Sequence, residues 1–346
     1  MHRADAREGV GAPRPTRRGA RLSIGALLGA GLLAMMALAC FGSLPWTLGQ
    51  AEGSRTARFA WSELDAARLP PSWAPHQDDE RAAAEHAAQR HPLGTDALGR
   101  DVLTRLLLGG AVSLGIGLSA ALISVVIGTA YGMIAGYAGG RVDAVMMRVV
   151  DVLYGLPYIL LVVLLAVAAD ALADRAMAAR LAAGASVDAI DRQRAWVNIA
   201  TLLVAIGGVS WLTMARVVRG QTMSLKARPF VEAARAMGTP RRTIFLRHLL
   251  PNLTGPIVVY ATLTAPQAIL QESFLSFLGI GVSPPLPSWG NMAADGLSEL
   301  NTFRARWWLL LFPCLALGAT LIALNFLGEG LREAMDPRRS RRGRST

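Results

Sequence analysis

The chain has 346 residues, of which 53% are hydrophobic and only 17% charged, and its mean hydropathy is +0.37. This composition is too apolar for an ordinary soluble domain and predicts a membrane protein. The net charge of +11 could suggest a nucleic-acid partner, but the basic residues flank the apolar segments, so topology explains them and no nucleic acid is expected.

Six apolar segments are long enough to cross a bilayer, since about 30 Å of hydrocarbon takes about 20 helical residues. They are Leu22–Leu44, Ala111–Gly136, Val152–Ala169, Trp196–Ala215, Leu253–Leu275 and Trp307–Leu327. The sequence therefore predicts an all-α integral membrane protein with six transmembrane helices.

The charge between these segments predicts their orientation. With the N-terminus inside, the inner segments 1–21, 216–247 and 329–346 carry net charges of +4, +7 and +3, whereas the outer segments 45–105 and 272–306 carry −2 and −1. Because Lys and Arg are retained on the cytoplasmic side, both termini are expected there, as basic tails.

The first apolar segment follows a basic start, as in a signal peptide. At residues 22–44 it is longer than a usual signal core, and the large Leu38 is misplaced for lipoprotein cleavage before Cys40. We therefore expect an uncleaved first helix. Cys40 and Cys314 both fall in apolar segments, so they are interpreted as packing residues and no disulfide framework or zinc cluster is expected.

Residues 45–105 form the predicted extracytoplasmic segment. His76, His86 and His91 lie near acidic residues there, but no pair has the i,i+4 spacing of a helical zinc site, so neither a metal nor another cofactor is expected. Apolar residues at 102, 103, 106 and 107 fall at helical spacing, which predicts a helix lying flat on the membrane, capped by Thr95 or Asp96.

The second apolar segment is unusually rich in Gly, Ala and Ser between residues 115 and 136, which predicts close helix packing. Gly139-Gly140 then predicts a turn. Asp143, Arg148 and Asp151 indicate a helix along the inner surface, in which Arg148 and Asp151 are three residues apart and could pair.

The basic stretch 228–252 predicts two short helices joined at a glycine. Pro229 suits the first turn of a helix, and Gly238 suits the left-handed residue just past its end. Thr239 can cap a second helix that Pro240 opens, and Pro251 is expected to limit that helix.

The same stretch resembles the EAA loop of the membrane subunits of ABC importers, through Glu232-Ala233-Ala234, Gly238 and Leu250-Pro251. His248-Leu249-Leu250-Pro251-Asn252 is similar to the C-type permeases of the dipeptide/oligopeptide family. That family also matches Leu93-Gly94-Thr95-Asp96 followed by Gly99-Arg100-Asp101, the run 284–291 and the chain end at 325–337. The similarity extends from about residue 91 to residue 337.

The resemblance implies a type I ABC importer permease (MetI-like) architecture with a core at 106–328 and a coupling loop at 216–252. By the same resemblance, the residues expected to couple the chain to an ATPase are Glu232, Ala233, Ala234, Gly238, His248 and Pro251. An extracytoplasmic signature is assigned to Gly94, Thr95, Asp96, Gly99, Arg100 and Asp101. The implied setting is a bacterial inner membrane, in contact with lipid, and the implied partners are a homologous permease, two ATP-binding subunits and an extracytoplasmic binding protein. Peptides are the implied substrate, with nickel, glutathione and oligosaccharides as alternatives.

Several chemical signatures are missing from the sequence. It has no Gly-x-x-x-x-Gly-Lys-Ser/Thr loop for ATP, no Gly-x-Ser-x-Gly elbow and no His-Glu-x-x-His helix, so the chain is not expected to be an enzyme. The interiors of the predicted spans also lack Asp, Glu, Lys and Arg, which disfavours a proton-driven carrier. A membrane-embedded enzyme and a secondary carrier remain the less favoured alternatives.

Overall fold

The computed structural model describes residues 23–335 except 52, 55, 75–90, 185–186 and 301–304. Within these residues the fold is helical, and strand pairing is limited to isolated bridges. The helices are α1 (Ile24–Gly42), α2 (Leu44–Thr47), α3 (Val102–Ala138), α4 (Gly140–Tyr154), α5 (Tyr158–Ala182), α6 (Val187–Lys226), α7 (Pro229–Ala236), α8 (Arg241–Thr243), α9 (Leu250–Phe277), α10 (Trp289–Ser298) and α11 (Trp307–Met335).

The predicted all-α membrane architecture is confirmed. Five helical segments of the described chain are long and apolar enough to cross a membrane, and they are Ile24–Thr47, Val102–Ala138, Trp196–Lys226, Arg241–Phe277 and Trp307–Met335. A sixth span results if α4 and α5 count as one bent crossing.

The third predicted span, Val152–Ala169, is not one straight helix. The chain bends by 89° between α4 and α5, at Gly155-Leu156-Pro157. Proline lacks the N–H that would continue α4 and pushes the residue before it out of the helical region, so the apolar run is divided between two helices.

The predicted surface helix is wrong as a separate element. Helix α3 begins at Val102 and continues unbroken for 37 residues into the bundle. Its cap is Asp101, whose side chain accepts from the Thr104 N–H, and neither Thr95 nor Asp96 serves as the cap. Apolar Val102 and polar Thr104 are both buried, because this end of the helix is covered by protein.

Helices α3 and α6 form the centre of the bundle, and small residues bring them together as predicted. A Cβ on Gly128 would lie 2.6 Å from Met214 Cβ, one on Gly132 2.4 Å from the Ala215 carbonyl, and one on Gly136 2.7 Å from the Arg219 carbonyl. Since α3 is about 55 Å long at 1.5 Å per residue, its two ends mark opposite ends of the molecule.

Helix α4 follows the predicted turn, where Gly139 and Gly140 have φ values of +67° and +55°. Its two acids join it to α6. Arg219 donates two bonds of 2.5 Å to Asp143, and Arg216 donates one of 2.8 Å to Asp151. The partner of Asp151 is therefore Arg216, on another helix. The pair with Arg148 that the spacing allows is not the one formed.

The two cysteines are free thiols. Cys40 is buried against the face of α3, where a Cβ on Gly110 would approach its sulfur to 2.4 Å, so it is a packing residue as predicted. Cys314 is exposed on α11, on the surface of the bundle, so its predicted packing role is not borne out within this chain.

Candidate functional site

Helix α7 is a short helix at the end of the bundle where α3 finishes. Pro229 occupies its first turn, as predicted. At its end the Gly238 N–H donates to the Arg235 carbonyl and the Thr239 N–H to the Ala234 carbonyl, each at 3.0 Å. This is the Schellman pattern, and it requires the left-handed φ of +74° that Gly238 has. The predicted stop at this glycine is confirmed.

One face of α7 is buried and the other is open. Val231 and Ala234 are buried, and Val231 belongs to a hydrophobic cluster with Ile244, Leu249 and Leu253. Glu232 and Ala233, the other two residues of the predicted motif, are exposed with Phe230 and Met237. Ala234 thus anchors the helix, whereas Glu232 and Ala233 belong to its free surface.

The second arm of the loop differs from the prediction. Thr239 makes no side-chain cap; Pro240 occupies the cap position of the three-residue helix α8. The chain continues through a π-helical turn, Ile244–Leu249, directly into α9. Pro251 does not end this arm, because it lies in the first turn of α9, and the wider turn before it accommodates the missing N–H.

His248 and Pro251 lie on the same side as α7. The His248 ring is half-buried, with its centroid 6.4 Å from that of Phe230, and its carbonyl accepts from Asn252 Nδ2 at 2.7 Å. Pro251 is exposed. The six residues predicted for coupling therefore share one elbow of the chain, although Ala234 faces inward.

The charge of this elbow is strongly positive. Glu232 is its only acid between residues 216 and 252. Lys226 Nζ donates to the Tyr137 carbonyl at 2.6 Å, and the Arg235 guanidinium lies 5.6 Å from the centre of the Tyr137 ring. These contacts join the end of α6 and the helix α7 to the end of α3.

The residues of the predicted outer signature lie at the other end of α3. They form a closed network of side-chain and backbone hydrogen bonds, which we call the polar knot. Thr95 Oγ1 donates to the Ala66 carbonyl and accepts from the Leu69 N–H at 2.8 Å. Asp96 accepts from Arg100 Nε at 2.7 Å and from the Arg100 N–H at 3.0 Å. Asp101 caps α3 and lies 3.0 Å from His91 Nδ1.

Two glycines let backbone segments cross inside this knot. Gly94 and Gly99 have φ values of +80° and +73°, and a Cβ would lie 2.4 Å from the Leu69 carbonyl at the first and 1.9 Å from the Glu63 carbonyl at the second. All six signature residues are therefore structural here. Among the described residues no group of His, Cys, Asp or Glu could hold a metal, and His76 and His86 lie outside them.

An ion pair links the knot to the segment after α10. Arg68 donates to both carboxylate oxygens of Glu299 at 3.0 and 3.1 Å, and Arg306 donates to the same group. The hydrogen bonds from Arg68, followed by those from Arg306, hold the pKa of Glu299 below its usual value against the opposing effect of burial.

Glu272 is a buried residue that lies near the end of the predicted fifth span and at the start of the predicted outer segment 272–306. It lies inside α9 with no exposed surface, so the predicted absence of acids from the spanning helices is wrong. Ser276 Oγ donates to it at 2.8 Å, and Ser273, Ser113 and Ser288 complete a cage of hydroxyls. These serines come from α3, α9 and the cap of α10, so the carboxylate ties three elements together.

A further group of residues was not predicted. A cleft of about 450 Å³ lies between the end of α4, the middle of α6 and α9. Its lining combines apolar side chains with two tyrosines, two glutamines, a serine and two threonines. The polar members on α9, placed in an otherwise apolar run, were the available sequence signal.

Comparison with known proteins shows the family to which the chain belongs. Residues 128–341 match the model of the binding-protein-dependent transport system inner membrane component. The chain is 44% identical over 248 residues to the oligopeptide transport system permease protein OppC of Haemophilus influenzae, covering 72% of this chain and 70% of the relative. It is 41% identical over 273 residues to the dipeptide transport system permease protein DppC of Bacillus subtilis, covering 78% and 77%.

A glutathione transport system permease protein, GsiD of Pectobacterium atrosepticum, is 36% identical over 254 residues, covering 73% of this chain and 75% of the relative. Among solved structures, a chain of the MetNI methionine ABC transporter aligns with a TM-score of 0.47 and 18% identity, over 67% of this chain and 96% of that one.

Proposed function

Because the chain belongs to the family of binding-protein-dependent transport system inner membrane components, we propose that it is the permease subunit of an ATP-driven importer of di- and oligopeptides. In this role it spans the bacterial inner membrane several times and forms part of the path that peptides cross. It is a transport component and not an enzyme.

The observation that carries the proposal is the elbow at residues 228–252. A helix with one buried and one free face, held at its end by a glycine turn, presents Glu232 and Ala233 outward from a basic surface. Such a helix fits a cleft on an ATP-binding subunit. We assign two such subunits to the complex, together with a homologous permease and an extracytoplasmic binding protein that delivers the peptide.

The proposed orientation places this elbow and both chain ends in the cytoplasm and the knot around Asp96 outside. The Arg-rich loop supports this direction, since Lys and Arg flanking the spans are retained inside. The family supports a type I importer architecture for the core.

The proposed mechanism is alternating access. ATP binding closes the ATPase pair, α7 moves with it, and the spanning helices reopen toward the outside to accept peptide from the binding protein. A ligand shifts such an equilibrium only through contacts that differ between the two states, and the free face of α7 provides those contacts.

The test is reconstitution of the chain with its partner permease, ATPases and binding protein in proteoliposomes. We expect a tripeptide to stimulate ATP hydrolysis and to accumulate inside. Glutathione is the second candidate, favoured by the 36% identity to GsiD, and it is measured in the same assay. Accumulation of Ni²⁺ or an oligosaccharide without any peptide would refute the proposed substrate, and failure to bind an ATPase would refute the importer itself.

A further inference from the structure

The cleft between α6 and α9 has an uncharged hydrogen-bonding lining. Its volume is about 450 Å³, within the range that holds drug-sized ligands. The side chains around it are apolar or neutral and polar, with no acid or base among the lining residues described. The polar groups of the two facing helices are Ser210 and Thr213 on α6 and Tyr260, Thr264, Gln267 and Gln271 on α9.

The four polar residues of α9 fall on one face of the helix. Tyr260, Thr264, Gln267 and Gln271 are separated by four, three and four residues, which places them in one line on an α-helix. Gln267 is exposed, although α9 belongs to an apolar spanning segment. An amide facing hydrocarbon would lose its hydrogen bonds at a cost of several kcal/mol, so this face meets water or a polar ligand.

The chemistry of this line matches a peptide backbone. A glutamine amide presents both a donor and an acceptor, as a peptide group does, and hydroxyl groups can do either. Neutral groups also bind without holding a charged side chain strongly, and transport through a path requires sites that are weak and repeated.

We propose that Tyr260, Thr264, Gln267 and Gln271 form a track that binds the backbone of the passing peptide and ignores the charge of its side chains. This inference rests on the proposed peptide importer and adds the residues and the selectivity of its path. Substrate charge is then discriminated by the binding protein and not by this subunit.

The test places a charge at the centre of the track. Gln267→Glu and Gln267→Lys are reconstituted in the full complex, and uptake of Ala-Lys-Ala is compared with uptake of Ala-Glu-Ala. Because the binding protein is the same throughout, a change in the uptake ratio reports the permease. We expect Gln267→Glu to shift the ratio toward the lysine peptide by roughly five-fold and Gln267→Lys to shift it the other way by a similar factor.

A matched pair of threonines provides the control. Thr264 and Thr262 each donate a 2.8 Å bond to a backbone carbonyl of α9, but Thr264 lines the cleft and Thr262 faces Gly328 of α11. Thr264→Val should lower uptake of both peptides several-fold, and Thr262→Val should leave it unchanged. Equal losses in both variants would overturn the inference, because they would indicate a packing role.

Accessibility gives a second measurement that needs no charged variant. With both native cysteines replaced by alanine, Gln267→Cys should react with a water-soluble methanethiosulfonate reagent, and added tri-alanine with binding protein and ATP should slow the reaction. Leu270→Cys, exposed but outside the cleft, should not react. An unreactive position 267, or charge variants with an unchanged uptake ratio, would overturn the track. A wild-type complex that moves no peptide at all would instead overturn the proposed function.

Discussion

Substitutions of Gly238 can separate its role in the backbone turn from its role at the proposed docking surface. Its φ is +74°, and a Cβ built there would meet no atom within 4 Å. The cost of Gly238→Ala is therefore the left-handed conformation alone, about 1 kcal/mol, which lowers the population of the docking-competent turn by at most about five-fold. Asparagine adopts this conformation more readily, so Gly238→Asn should cost less.

Gly238→Asp is the decisive member of the series because it has the shape of asparagine and adds only a charge. The variants are purified with their ATPases, and complex assembly and peptide-stimulated ATP hydrolysis are measured. We expect Gly238→Asn near wild type, Gly238→Ala reduced up to about five-fold, and Gly238→Asp and Glu232→Lys without uptake or stimulation. All should insert at normal levels.

The control is Gly255, a glycine inside α9 whose Cβ would also meet no atom within 4 Å. There alanine is the better helix former by about 1 kcal/mol, so Gly255→Ala should not reduce insertion or assembly. Equal coupling in Gly238→Asp and Gly238→Asn would refute the docking role, because an elbow without a partner tolerates an added surface charge.

Three further predictions concern topology, packing and pH. A cysteine at Thr239 in a cysteine-free chain should resist a membrane-impermeant reagent in intact cells and react in inverted vesicles; labelling of intact cells would reverse the proposed orientation. Gly132→Leu should abolish folded protein, since a Cβ there lies 2.4 Å from the Ala215 carbonyl, whereas Gly115→Leu, with no atom within 4 Å, should be tolerated. The lowered pKa of Glu299 stabilises the polar knot above the ordinary glutamate pKa, and this contribution disappears as pH falls through the lower folded value. In thermal unfolding at neutral pH, Glu299→Gln should therefore be less stable than wild type, and the difference should shrink on acidification; a constant difference would contradict the ion pair.

Local signals were sufficient to predict the first arm of the elbow. The Schellman turn at Gly238 involves hydrogen bonds between residues at most five apart, and Pro229 acts on its own helix, so both can be read from the sequence. The apolar segments were found for a similar reason, because crossing a bilayer depends on a continuous run of residue types.

Helix ends and long-range partners could not be predicted in this way. Hydropathy detects the part of a helix that lies in hydrocarbon, whereas α3 begins at Val102, nine residues before the predicted span, because protein covers its polar first turns. Asp151 could be paired with a residue three positions away, but its partner Arg216 is 65 positions away and depends on how α4 and α6 pack. The spacing of the polar residues on α9 can be read from the sequence, but the sequence alone does not predict that α6 faces them across the cleft.

The continuous segment Arg241–Phe277 gives these sites a mechanical connection. Its 37 residues span about 55 Å at 1.5 Å per residue, beginning in the docking elbow and ending beyond Glu272. The proposed polar track lies between these points, so the second arm of the elbow, the proposed track and the hydroxyl cage share one helical element. Since closely packed helices move as units, we expect the part of this segment beyond the elbow to carry the proposed track and the cage together when α7 is displaced. The π-helical turn at Ile244–Leu249 is the irregular part of this segment and lies within the elbow, and it is therefore where we expect the segment to bend when the proposed ATPase partners close.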